Sequence, residues 1–246
     1  MPTIYLSPST QQANLYVNGG TEEYWMNQLA DRLVPYLRSN GIQYVRNDPD
    51  MTAGSSVRQS NAGKYDLHLA LHSNAAPEGR YGELRGTDVY YDPRSSNGKR
   101  AADIIAENFK TIYPNPNRVR PVSTTTLGEV TDTKAPAVLV ETAYHDNSED
   151  ATWIKNNLDE IARILALSLT EYFDIPFVKP QKPQEGTVSV SSGRLNIRSR
   201  PTVTSSVLTQ ANNGDSITVL GTLPNWYVVN YKGTVGYAFR DFIDIP

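Results

Sequence analysis

The chain has 246 residues, a formal net charge of −3, no cysteine and 39% hydrophobic residues. These values predict a globular protein with room for one good-sized domain and one small domain, and we expect a monomer. They exclude disulfides and thiolate metal sites, and they give no electrostatic reason to expect nucleic acid or an anionic membrane as partner. No apolar run approaches the roughly 20 residues that a membrane span needs.

The first 175 residues alternate between strand and helix patterns. The apolar run TIYLS opens the chain, and a helical stripe follows over residues 22–39, with Thr21 as its cap and Pro35 as a point where it should kink or end. Further strands are expected at 42–46, 66–72, 86–91 and 135–141, and further helices at 100–113 and 149–172. Repeated strand–helix alternation predicts an α/β fold, an open and mostly parallel sheet flanked by helices.

The remaining third of the chain has a different pattern. The stretch IPFVKPQKPQEG is rich in proline and without periodicity, which is typical of a semi-rigid linker. Short β-rich runs separated by turn residues follow it and predict a small all-β barrel. We therefore expect an α/β domain over residues 1–175, a linker over 176–185 and the barrel over 186–246.

Three polar residues stand where an open α/β sheet binds its ligands, at the carboxyl ends of strands. His72 ends the strand LALH, Glu141 ends the apolar strand APAVLVE, and Glu22 lies in the first turn of the first helix. Imidazole and carboxylate are good zinc ligands, and a second carboxylate can serve as general base. Purely structural roles stay open for Glu22 and His72. Glu141 ends a strongly apolar strand, and burying a charge there costs free energy that a functional role would explain.

The segments IYLSPST, GTEEYWMNQLADRLVPYL, SNAGKYDLHLALHSNA, GTDVYY and APAVLVETAYHDN follow one another in this order. Together they resemble the zinc-dependent N-acetylmuramoyl-L-alanine amidases of the Amidase_3 family. The resemblance implies cleavage of peptidoglycan at the amide between the lactyl group of N-acetylmuramic acid and L-alanine. It implies Glu22 and His72 as Zn²⁺ ligands, with Glu23 as the rival of Glu22, and Glu141 as the catalytic residue.

The C-terminal segments LNIRSRPTVTSSVL and NWYVVNYKGTVGYAF resemble a bacterial SH3-like domain, a class that commonly binds cell-wall peptide or glycan. Such a domain over residues 186–246 implies a wall-binding role beside the hydrolase. For any single aromatic residue of this region, packing within the barrel is the simpler interpretation.

One position departs from the family pattern. The family carries a zinc-binding histidine just after the first strand, where this chain has Thr10, a poor zinc ligand. His68 and His72 lie on one strand with Cα atoms ~13 Å apart, too far for ligands whose nitrogens must approach within about 3.5 Å. His145 lies beyond its strand and can fold back, so we predict that it joins Glu22 and His72. Alternatively, His145 lies at the pocket rim and orients substrate or Glu141. Water alone could also supply the missing metal ligand.

Two other functions stay open at this point. The chain could be an amidase fold that lost zinc and only holds peptidoglycan, or it could be a peptidase that cuts within the stem peptide. The N-terminus MPTIYLSPS lacks the basic and apolar segments of a secretory signal. We expect a wall-acting protein that is released by a lytic or non-classical route or whose leader was removed. Phage, spore and division roles are all compatible with the sequence.

Overall fold

The computed structural model describes residues 1–246, and their contacts divide them into two units. The larger unit comprises Thr3–Val34 and Tyr44–Phe173. The smaller unit comprises Met1–Pro2, Pro35–Gln43 and Asp174–Pro246. None of the helices combines the length and the apolar composition that a membrane crossing requires.

A six-stranded sheet with helices around it forms the larger unit, except that the last five residues of the first helix and the first residue of the second strand belong to the smaller unit. Its strands are β1 (Thr3–Pro8), β2 (Gln43–Arg46), β3 (Leu67–Asn74), β4 (Thr87–Tyr91), β5 (Val119–Ser123) and β6 (Ala137–Tyr144). The helices are α1 (Glu22–Ser39), α2 (Ala53–Ala62), α3 (Ser96–Phe109), α4 (Gly128–Thr131), α5 (Ser148–Asn156) and α6 (Leu158–Tyr172). The strand order is β2-β1-β3-β6-β4-β5. The predicted α/β fold with flanking helices is confirmed, and the sheet is mixed because β4 and β6 pair antiparallel.

The strand β3 shows how the two faces of the sheet are covered. Ala70 packs with Val130 of α4 and Leu139 of β6 in one small buried cluster. Alternate residues of a strand share a face, so His68 and His72 lie on the same side as Ala70. On β6, the hydroxyl of Thr142 lies 3.9 Å from the sulfur of Met26 in α1. Because neighbouring strand residues point to opposite faces, α1 covers the side opposite to Glu141.

Both ends of α1 match the predicted span of residues 22–39, and the helix does not end at Pro35. The hydroxyl of Thr21 accepts a hydrogen bond from the backbone N–H of Tyr24 at 3.1 Å, which caps the helix. Leu29, Leu33 and Leu37 are fully buried at helical spacing. The helix continues to Ser39 with Pro35 inside it, because the burial of this apolar stripe outweighs the one missing backbone hydrogen bond.

Asp150 organises the loops at one end of the sheet. Its side chain is fully buried and accepts hydrogen bonds from Arg85 Nε at 3.2 Å, Gly86 N at 3.0 Å, Tyr113 Oη at 2.7 Å and Tyr144 N at 3.1 Å. These donors come from the loop before β4, the segment after α3 and the end of β6. One carboxylate therefore holds three separate parts of the chain together.

The C-terminal strands form a seven-stranded sheet whose recorded pairings are all antiparallel, which confirms the predicted small all-β domain. Its strands are β7 (Gln184–Val188), β8 (Leu195–Arg198), β9 (Val207–Ala211), β10 (Ser216–Thr222), β11 (Trp226–Tyr231), β12 (Thr234–Phe239) and β13 (Ile243–Asp244). Val188, Ile197, Val219 and Val229 belong to its core, each at most 1% exposed.

The proline-rich segment contacts residues 36–40, which belong to the same smaller unit. The buried amide of Asn40 donates to the carbonyl of Val178 at 2.8 Å and accepts from its backbone N–H at 2.6 Å. The rings of Tyr36 and Phe177 stack with their centroids 6.0 Å apart. The start of the predicted linker is therefore ordered by these contacts, and β7 already begins at Gln184.

Candidate functional site

Glu22 and His72 meet at the carboxyl edge of the larger sheet. Both residues are buried, and Oε1 of Glu22 lies 2.7 Å from Nδ1 of His72. The second carboxylate oxygen of Glu22 accepts a hydrogen bond from Asn14 Nδ2 at 2.6 Å. Glu23 instead contacts Asn27, whose Nδ2 lies 3.3 Å from Glu23 Oε1. Of the two candidate acids, Glu22 is therefore the one that the fold brings to His72.

A second carboxylate, that of Glu129, contacts the other side of the same imidazole. Its Oε2 lies 2.9 Å from Nε2 of His72, and its Oε1 accepts a hydrogen bond from Ser7 Oγ at 2.5 Å. The nearby Nε2 of His68 lies 3.5 Å from Glu129 Oε1. Our reading of the sequence missed Glu129, which lies in the one-turn helix α4. The only local signal was an acid between the apolar residues Leu127 and Val130.

The two carboxylates determine the charge of this cluster. Burial alone would lower the pKa of His72, but its contacts with Glu129 and Glu22 raise that pKa well above its ordinary value. Burial would likewise raise the pKa of Glu129, but the neighbouring imidazoles of His68 and His72 lower it to about 2. The contacts therefore favour the charged form of His72 and the ionised form of Glu129.

Glu141 lies beside this cluster, directly opposite His72 in the register of β3 and β6. Its Oε2 is buried and has no hydrogen-bond partner. Burial raises the pKa of Glu141 to about 8; the charge of His72 opposes this rise, and the carboxylates of Glu22 and Asp88 add to it. A buried carboxylate oxygen without a partner is costly, which makes Glu141 a candidate for a functional residue at this edge of the sheet.

In the structure His145 makes no hydrogen bond with Glu22 or His72, the two residues that the sequence predicts it to join around a metal. Its Nδ1 lies 2.8 Å from the carbonyl oxygen and 3.1 Å from the hydroxyl of Ser73, and its ring stacks on Tyr16. The strand β6 continues through Tyr144, three residues beyond the predicted end of this strand at Glu141, and His145 follows it directly. His145 instead lines a cavity of about 410 Å³ beside the site, as the alternative interpretation proposed.

His68 is a core residue. It is fully buried, its Nδ1 lies 3.0 Å from Ser60 Oγ, and its ring stacks on Tyr5 with centroids 5.1 Å apart. These contacts agree with the interpretation that followed from its distance to His72 along the strand.

The residues present do not complete a three-ligand zinc site of the family type. A catalytic zinc normally has three protein ligands, and the family resemblance implies only Glu22 and His72 among the residues that meet here. Glu129 holds the other ring nitrogen of His72, so it cannot share one ion with Glu22. The amide of Gln11, 3.4 Å from His72 Nδ1, supplies no imidazole or carboxylate in place of the histidine missing at Thr10. No group of three or more histidine, aspartate or glutamate side chains is placed to hold a metal ion.

Comparison with known sequences agrees with this arrangement. Residues 9–171, more than half of the chain, match the Amidase_3 family, described as N-acetylmuramoyl-L-alanine amidase, and residues 193–244 match the bacterial SH3 domain. The N-acetylmuramoyl-L-alanine amidase LytC of Bacillus subtilis is 28% identical over 180 residues, which are 70% of this chain and 35% of LytC. An endolysin of Bacillus phage SPP1 is 27% identical over 125 residues, 48% of this chain and 44% of the endolysin. The chain thus spans less than half the length of either relative.

Solved structures show the same fold. The catalytic domain of CwlV from Bacillus (Paenibacillus) polymyxa superposes with a TM-score of 0.61 at 19% identity, covering 72% of this chain and 100% of that domain. An N-acetylmuramoyl-L-alanine amidase from Clostridium difficile 630 superposes with a TM-score of 0.62 at 16% identity, covering 70% of this chain and 97% of that one. With the sequence match over residues 9–171, the chain belongs to the Amidase_3 family of N-acetylmuramoyl-L-alanine amidases.

Proposed function

We propose that this chain hydrolyses peptidoglycan at the amide between N-acetylmuramic acid and the L-alanine of the stem peptide. The observation that carries the proposal is Glu141, a buried carboxylate with an unpartnered oxygen beside the Glu22–His72 pair. The family resemblance implies the catalytic role for this same residue. Membership in the family and the names of the amidase relatives support the choice of bond.

Glu141 has the properties of a general base in this reaction. It takes a proton from the attacking water, whose oxygen bonds to the lactyl carbonyl carbon, and returns the proton to the alanine nitrogen when the C–N bond breaks. A raised pKa makes a carboxylate a stronger base than an exposed glutamate would be. Glu22 and Glu129 hold both ring nitrogens of His72, so the position of the imidazole beside Glu141 is set before substrate binds.

Identifying the bond that is cut distinguishes the three candidate functions: amidase, stem-peptide peptidase and non-catalytic wall-binding protein. We expect mass spectrometry of digested wall to show intact stem peptides with a free L-alanine amino group. Fragments cut within the stem peptide would instead identify a peptidase. Retention on the wall without any released peptide would identify a binding protein and would refute the proposed hydrolysis.

Zinc stays the cofactor prediction, with Glu22 and His72 as its protein ligands once the proton between Glu22 Oε1 and His72 Nδ1 is lost, and with water as the remaining ligand. When bound, zinc would polarise the scissile carbonyl and lower the pKa of a bound water. Because His145 contacts Ser73 instead, we expect His145→Ala to keep the wild-type zinc content at a fixed free zinc concentration. Glu22→Gln should lower the zinc content. Elemental analysis measures the zinc content of both purified variants. Loss of zinc in His145→Ala would show that His145 is a zinc ligand.

We further propose that the C-terminal domain binds the wall through a cavity of about 450 Å³. Trp226, Phe239 and Phe242 line it together with Arg194 and Arg198, so it offers aromatic surface and positive charge to a sugar or peptide. Family resemblance to bacterial SH3 domains supports this role.

Variants of this cavity should lose wall binding and keep activity on small substrates. We expect Trp226→Ala and Arg194→Ala each to reduce retention on purified wall at least about fivefold, because aromatic and arginine contacts dominate binding energies. Hydrolysis of soluble muropeptides should be unchanged. Lys232→Ala, outside the cavity lining, is the matched control, and equal sedimentation of all four proteins with the wall would exclude this cavity.

A further inference from the structure

A row of four ionisable side chains crosses four neighbouring strands of the larger sheet. In the strand register, His72 lies opposite Glu141, Glu141 opposite Asp88, and Asp88 opposite Arg120. Side chains of directly opposite residues project from the same face of a sheet. The row therefore runs from the His72 cluster through the proposed general base and ends at Arg120 on β5.

The last two members of the row differ sharply in exposure. The side chain of Asp88 is 5% exposed and that of Arg120 is 68% exposed, and Arg120 Nε donates to Asp88 Oδ1 at 2.7 Å. The buried carboxylate thereby orients the plane of the guanidinium. The two terminal NH₂ groups of Arg120 donate no hydrogen bond within the protein and stay available to a ligand.

This arrangement is suited to a carboxylate. A guanidinium presents paired N–H donors that match both oxygens of a carboxylate, and orienting it in advance reduces the entropy lost on binding. Strands lie about 4.8 Å apart, so the Cα atoms of Glu141 and Arg120, two strands apart, are separated by roughly 10 Å. An extended peptide advances about 3.3–3.6 Å per residue, so a group one or two residues beyond the bond at Glu141 comes within reach of Arg120.

We propose that Arg120 binds the free α-carboxylate of the acidic residue that follows L-alanine in the stem peptide, and thereby selects the acid over its amidated form. This inference rests on the proposed function, because it assumes that the L-alanine amide is placed at Glu141. Asp88 offsets part of the positive charge, so the hydrogen bonds of the guanidinium, more than long-range attraction, provide the preference.

The test uses two tripeptides: L-alanyl-γ-D-glutamyl-L-lysine, and the same peptide with the α-carboxyl of its D-glutamyl residue amidated. Calorimetry measures the affinity of the full chain for each. The corresponding N-acetylmuramoyl tripeptides give kcat/KM. We expect the wild type to prefer the acid about tenfold in both measurements, as a hydrogen bond to a charged group supports. Arg120→Gln should abolish this preference, because it should weaken binding and cleavage of the acid and leave those of the amide unchanged. Arg118→Gln, which changes an exposed arginine outside the row, should keep it.

Each outcome decides one of the two claims. Equal affinity of the wild type for both tripeptides, absence of binding, or an acid preference that survives in Arg120→Gln would overturn the carboxylate site. If neither N-acetylmuramoyl tripeptide is cleaved, the proposed hydrolysis fails, and the affinities of the free tripeptides still decide the role of Arg120. If Arg120→Gln leaves Asp88 unpaired and does not fold, the double variant Asp88→Asn/Arg120→Gln, which removes both charges, takes its place.

Discussion

Replacing Glu141 by glutamine is expected to lower kcat for the release of stem peptides by at least about 10²–10⁴-fold, the range of general-base catalysis. Glutamine keeps the size of the side chain but cannot accept a proton from water. The fold should be preserved, because the substitution removes a buried carboxylate whose Oε2 has no partner. The measurement is the rate at which new L-alanine amino groups appear, with circular dichroism as the check on folding.

Glu23→Gln is the matched control for this experiment. Glu23 lies next to Glu22 in α1 but contacts Asn27, away from His72, so its substitution should leave kcat within about twofold of wild type. Turnover of purified wall by Glu141→Gln at a near-normal rate would remove Glu141 from the mechanism. An equal loss in both variants would indicate a general effect of altered charge.

Replacing Asp150 by alanine is expected to lower the free energy of unfolding by about 3–5 kcal/mol, the usual cost of breaking a buried charged pair. The carboxylate accepts four hydrogen bonds, and its loss leaves the donors of Arg85, Gly86, Tyr113 and Tyr144 without their acceptor. Urea denaturation monitored by circular dichroism measures the change. Asp150→Asn keeps part of the hydrogen bonding and should lose less.

Glu149→Ala controls for the loss of charge at the start of α5. Glu149 also pairs with Arg85, but its side chain is 70% exposed, so we expect a loss below about 1 kcal/mol. If Asp150→Ala unfolds at the same urea concentration as Glu149→Ala, then Asp150 does not organise the loops at this end of the sheet.

The sequence was sufficient for the elements that carry strong local patterns. The apolar runs of β3 and β6 and the periodic stripes of α1 and α6 report burial directly, because a strand repeats every two residues and a helix every 3.6. Strand ends then placed His72 and Glu141 at one edge of the sheet, since the carboxyl ends of parallel strands meet there. The same argument, with the first turn of α1, put Glu22 near them.

Short elements were beyond the reach of this reasoning. The helix α4 has four residues and β5 has five, too few to show a period that differs from chance. For that reason neither Glu129 nor Arg120 stood out in the sequence, although one completes the His72 cluster and the other ends the row of charges.

Only the tertiary structure decided which distant residues share one site. Ser7 and Glu129 are 122 positions apart and hydrogen-bonded, and His145, which follows a strand that runs three residues beyond its predicted end, contacts Ser73 rather than His72. Local patterns show which face of an element is buried, but they do not show which side chains meet across the sheet. That choice depends on strand order, on register and on where each loop turns, and these are determined by the packing of the whole domain.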